Sequence, residues 1–119
     1  MLRLARDEDL TDIITEDDSN PIITQHPIEG SSETKQFYLF NENPDKRYED
    51  VVVRAEGEDS DWFEFSLDGN TFTSEIQVGD IEEANSGQLI YIRVTTTEVD
   101  DSQNRDNTEV KLIGTQFAV

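Results

Sequence analysis

Apolar and polar residues alternate in short bursts along this chain, and the alternation has the period of β-strands. Phe63, Phe65 and Leu67 are interleaved with Trp62, Glu64 and Ser66, which places one set on each face of an extended segment and buries one of them. Asp68-Gly69-Asn70 follows, three residues that tolerate positive φ, so the spacing predicts a tight hairpin into Thr71-Phe72-Thr73. Gly79-Asp80 and Asn85-Ser86-Gly87 are turn signals that close the next two segments. Beyond Pro21 the pattern predicts strands at 22–28, 34–41, 50–56, 62–67, 71–78, 88–97 and 108–119. That rhythm, with no long amphipathic helix, belongs to an all-β sandwich of about seven strands.

Parity within each candidate strand proposes the core. Phe37 with Leu39, Val51 with Val53, Phe63 with Phe65, Ile76 with Val78, Ile90 with Ile92 and Val94, and Val110 with Leu112 form the inward set. The register of the first two pairs stays open, since Tyr38 with Phe40 serves nearly as well, and a slip of one residue exchanges the two faces.

An aromatic-rich strand ending Ser-Leu-Asp-Gly, a Gly-Asp turn, an apolar strand ending Tyr-Ile-Arg-Val and a final Val-Lys-Leu-Ile-Gly strand together resemble the immunoglobulin-like β-sandwich domains of tailed-bacteriophage virion proteins, head decoration and cement proteins among them. The likeness spans residues 22–119 and rests on strand rhythm and short motifs. It implies an immunoglobulin-like antiparallel sandwich at 21–119 that adheres to the outside of a capsid, with the major capsid protein and neighbouring copies as partners.

Residues 1–20 read differently. They are acidic and broken at Asp17-Asp18-Ser19-Asn20 before Pro21, and Leu10, Ile13 and Ile14 have the spacing of a single helical turn, too little to hold a helix alone. The expectation is an extended acidic arm that orders on a partner. Its contact points would be Leu2, Leu4, Leu10, Ile13 and Ile14, joined by the loop tip Asp68-Gly69.

Charge narrows the partner classes. With 28 acidic and nine basic residues the chain carries −19, a field that repels nucleic-acid phosphates and anionic lipid. No apolar run reaches the length of a membrane span, and the N-terminus lacks the apolar core of a signal peptide. An acidic surface also suits a particle that must stay dispersed, or a salty habitat.

Candidate chemistry is thin. The single histidine, His26, and the lack of cysteine leave no zinc constellation. Glu56-Gly57-Glu58-Asp59-Ser60-Asp61 approaches a calcium loop but has no later glutamate at the required offset. No Gly-x-Ser-x-Gly elbow or phosphate-cradling glycine loop is present. The expectation is therefore no enzyme, no metal and no cofactor. Trp62 and Tyr91, opposite the core parity, would either form an exposed aromatic pair or cover a sheet edge or lie under the N-terminal arm, and Arg54 and Arg93 would make intramolecular ion pairs.

The reading that results is a capsid-surface decoration protein. A host-surface or glycan-binding module that uses Trp62, Tyr38 and Tyr91 as a stacking platform is the first alternative. A tail or neck connector is the second.

Overall fold

The structure, a computed structural model, describes residues 2–14, 22, 24–25, 29–82, 87–96 and 108–118. Their secondary structure is all-β: β1 (Leu2–Ala5), β2 (Ser32–Asn41), β3 (Lys46–Gly57), β4 (Phe63–Ser66), β5 (Glu75–Ile81), β6 (Gln88–Thr95) and β7 (Thr108–Ala118), with one 3-10 turn at Ser60–Trp62. Two antiparallel sheets result. Sheet A has the order β1-β2-β6-β4 and sheet B the order β5-β3-β7.

A single apolar cluster joins them. Leu4, Phe37, Leu39, Phe65, Ile90, Ile92 and Val94 enter it from sheet A, and Tyr48, Val51, Val53, Ile76 and Ile81 enter it from sheet B. The proposed inward pairs fall on this cluster, with Phe63, Val78, Val110 and Leu112 at its margin. In β2 the register of Phe37 and Leu39 wins: both join the inner cluster, 1% and 0% exposed. Phe40 is buried as well, but on the opposite parity and outside that cluster.

Four departures from the sequence reading have physical causes. The Gly79-Asp80 turn signal lies inside β5, which continues to Ile81. Opposite it, β3 carries an irregularity between Tyr48 and Val52, with Asp50 at φ 54. Gly79 at φ 92 and the Asp50 N–H donating to Asp80 Oδ1 (3.1 Å) accommodate that bulge. Thr71–Thr73 is likewise not the start of a strand. The chain there leaves sheet A for sheet B, and β5 begins only at Glu75. Trp62 closes the 3-10 turn instead of opening β4, and packs against the core.

The fourth departure concerns the expected arm. Leu2–Ala5 is an edge strand of sheet A, paired antiparallel with β2 so that Leu2 faces Asn41 and Leu4 faces Leu39. Leu2 (8% exposed) and Leu4 (4%) belong to the core, because sheet A would otherwise leave the apolar end of β2 uncovered. The chain then turns at 6–12 and returns. Asp7 holds that turn by accepting hydrogen bonds from the Thr11 N–H (2.9 Å), the Asp12 N–H (2.8 Å) and the Thr11 hydroxyl. The Ile14 N–H donates to the Leu4 carbonyl at 2.8 Å and Ala5 bridges Ile13, so the returning segment covers the outer edge of β1. The predicted strand at 22–28 lies largely outside the described residues, as does His26.

Charge is partitioned by this architecture. Seven of the nine basic residues but only eight of the 28 acidic ones lie in the seven strands. The strands are therefore nearly neutral, and the rest of the chain carries almost all of the −19.

Candidate interaction surface

The outer face of sheet A gathers the residues best suited to contact. Ile90, Ile92 and Val94 point into the core, so Leu89, Tyr91 and Arg93 point out. Register sets Tyr38 opposite Leu89 and Gln36 opposite Tyr91, which makes the two tyrosines diagonal neighbours on one face. Both are half-buried.

Two of the expected contact segments border this face. Leu10, at φ 60, lies beside Tyr38: a Cβ built at Gly87 would meet Leu10 Cδ2 at 3.2 Å and Tyr38 Cβ at 3.4 Å. From the other side comes the loop after β4. Gly69 sits over the Tyr91 ring, and a Cβ there would be 3.1 Å from Cζ. At φ +78 the position also needs the left-handed backbone that only glycine adopts without strain. The loop is wider than a tight hairpin, since Phe65 and Thr73 exchange both backbone hydrogen bonds (2.7 and 3.0 Å) around it.

Asp68 organises that loop. Its Oδ1 accepts from the Asn70 N–H (2.8 Å), the Thr71 N–H (2.9 Å) and the Ser66 hydroxyl (2.8 Å). Ser66 is fully buried, and its Oγ in turn accepts from the Gly69 N–H at 2.9 Å. The Thr71 and Asn70 amides, with the Ser66 hydroxyl, pull the Asp68 carboxyl down to about 2. Asp7 is held below its ordinary 3.8 in the same way, first by the Thr11 hydroxyl and then by the Asp12 amide. Both acids are thus structural anchors of turns that flank the tyrosine face.

Arg93 completes the surface. Its guanidinium lies 4.1 Å from the Phe72 ring centroid and its Nη2 donates to Glu64 Oε1 at 3.0 Å, a cross-strand pair fixed by the β4–β6 register. Arg54 binds Glu56 on its own strand at 2.8 Å. Sequence reasoning anticipated both ion pairs but not the Phe72 contact, which depends on the chain crossing between sheets.

The remaining sequence-predicted residues are scattered. Leu2 and Leu4 are buried in the core, and Ile13 and Ile14 are half-buried along β1. Trp62 is not beside Tyr91: its neighbour Phe63 pairs with Val94, three residues up β6, roughly 10 Å along the strand. A shallow groove of about 360 Å³ opens between β4 and sheet B, lined by Arg54, Ser60, Asp61, Phe63, Glu64 and Glu75 among others, and holds none of the predicted contact residues. Among the described residues no group of three or more histidine, cysteine or acidic side chains is placed to hold a metal ion.

No protein-family model, curated protein or solved structure gives a significant match to this chain.

Proposed function

We propose that the chain is a structural virion protein, a capsid decoration or cement protein that binds the outer surface of a major capsid protein lattice and stabilises the head. The supporting observation is the convergence of Leu10 and Asp68-Gly69, distant in sequence, on the Tyr38/Tyr91 face. Such a face offers aromatic area at low conformational cost with hydroxyls that accept and donate at its rim. Leu10, Asp68 and Gly69 are the contacts retained at this face from the sequence reading, and Ile13 and Ile14 line β1. On a lattice, weak contacts repeated by symmetry suffice for occupancy.

An immunoglobulin-like topology is part of this reading. If β1, β2, β4 and β6 stand for strands A, B, D and E, sheet A has the A-B-E-D order of such domains, and β3 with β7 stands for C with F. β5 is then an additional strand on the free side of β3.

Quantitative mass spectrometry of purified particles tests the proposal. One copy per capsid subunit, or per three or six, is expected. Particles without the polypeptide would contradict it, and a copy number near that of the neck would turn the assignment to a connector. Because Tyr38 and Tyr91 share one face, a glycan-binding module is the second reading, and selective binding of the isolated chain on a glycan array would favour it.

A further inference from the structure

Charge is balanced differently on the two sheets. On sheet B, Glu49, Glu56 and Glu109 are each held by a cation of their own strand, Arg47, Arg54 and Lys111, so that part of β3 and β7 is locally neutral. Around the tyrosine face of sheet A the cations are already taken up. Arg3 pairs with Glu42 (3.1 Å), Arg6 with Asp12 (3.2 Å) and Arg93 with Glu64 (3.0 Å). The charge left at this border is negative. Asp7, Glu8 and Asp9 lie in the turn that brings Leu10 to Tyr38, and Asp68 heads the loop over Tyr91. Among the described residues none of these four carboxylates has an ion-pair partner.

Asp7 spends its carboxylate on its own turn, where both oxygens accept hydrogen bonds. The other three differ. Glu8 and Asp9 are exposed and accept no hydrogen bond, and every side-chain bond that the exposed Asp68 accepts goes to Oδ1, which leaves Oδ2 uncommitted. Between these carboxylates stand two half-buried tyrosines and Leu89. Tyrosine rings attract ammonium and guanidinium groups, apolar side chains pack against the stems of lysine and arginine, and carboxylates at the rim pair with the charged heads.

We propose that the Tyr38/Tyr91 face docks on a protein surface that presents arginine or lysine, with Glu8 and Asp9 pairing on one side of the tyrosines and Asp68 on the other. Charge complementarity selects this occupant. The −19 of the whole chain draws a basic surface in from a distance, and the uncompensated carboxylates beside the tyrosines fix where it lands. The inference rests on the proposed function for there being a docking partner and adds the chemistry of that partner's surface.

A hexa-arginine peptide added to the full chain at low salt, followed by residue-resolved NMR chemical shifts, tests this. The largest shifts are expected at Leu10, Tyr38, Gly69 and Tyr91. Glu8→Gln combined with Asp9→Asn should raise the peptide's Kd about fivefold. Asp61→Asn combined with Glu75→Gln removes as much charge from two exposed carboxylates in the groove beside β4, and should raise it less than about twofold. Tyr38→Leu, which keeps an apolar side chain against Leu10, should weaken binding about threefold. Shifts spread evenly over the acidic loops, or equal losses from the two charge-removing pairs, would reduce the effect to the overall −19 and overturn the proposal. Equally tight binding of an uncharged glycine-serine peptide at the same residues would overturn it too. Should Tyr38→Leu fail to fold, the comparison of the two charge-removing pairs decides alone. Copy number on particles is a separate measurement, so the peptide result can fail while the virion assignment stands.

Discussion

Among the described residues β1 and β7, the first and last strands, approach each other, and the chain treats them in opposite ways. β1 is four residues long, yet Leu2 and Leu4 are buried and its outer edge is covered by the return at Ile13 and Ile14. β7 is nearly three times as long, yet its apolar residues are mostly half-buried or exposed. Length and apolar content therefore do not decide which strand holds the domain together. Where the side chains enter the inner cluster does, and a short strand that enters it fully contributes more than a long one lying along its margin.

The largest expected effect breaks that contrast if it fails. Leu4→Ala should cost about 2–5 kcal/mol, as a buried leucine does when the cavity cannot fully collapse, measured by urea titration. A loss of a few tenths would return β1 to the status of a loose arm. Gly114→Ala comes next, because a Cβ there would meet Val51 Cγ2 at 3.0 Å and the Glu49 carbonyl at 3.4 Å. Overpacking this seam between β7 and β3 should cost about 1–3 kcal/mol. It would show that the inner side of β7 is tightly packed.

Acid titration sharpens the comparison at the turn that returns the chain to β1. The folded-state pKa of Asp7 is lowered below 3.8, so its contribution is present above the unfolded value and is lost as pH falls through the folded one. Asp68, lowered to about 2, behaves alike at the loop over Tyr91. Asp7→Asn and Asp68→Asn should each melt below the unaltered protein at pH 6, and that gap should narrow from pH 4 towards 2. A gap independent of pH would mean that neither carboxylate's charge anchors its turn. Differences against the variants are needed, because protonating other acids also relieves the repulsion of the −19 body. The smallest effect is expected on the exposed face of β7. Ile113→Ala should change stability by no more than about 0.5 kcal/mol.

How much of this could be read from the sequence follows the range of the interactions involved. Local alternation was enough for Phe63 and Phe65 and for Ile90, Ile92 and Val94, whereas in the uniform run Val51-Val52-Val53 the packing of β3 decides which residues point inward. The Asp68-Gly69 turn was legible because its determinants, Ser66, Asn70 and Thr71, are adjacent in sequence. β1 was not, since Leu-Arg-Leu-Ala has no pattern of its own and its strand character comes from pairing with Phe40 and Leu39, far along the chain. Gly79-Asp80 misled for the same reason: a residue pair typical of turns matches a bulge whose cause is on another strand. On the candidate surface, Leu10 and Gly69 were singled out individually, but their meeting around Tyr38 and Tyr91 needed the β2–β6 register. The separation of Trp62 from Tyr91 needed the β4–β6 register too.

Residue-resolved amide hydrogen exchange on the full chain tests most directly whether the N-terminal segment is part of the fold. The amides of Arg6 and Ile14, which donate to the carbonyls of Asp12 and Leu4, and the amide of Asp12, which donates to Asp7 Oδ1, should be protected well above random-coil rates under native conditions. Random-coil exchange at all three positions, alongside protected amides in β2 and β6, would contradict the account.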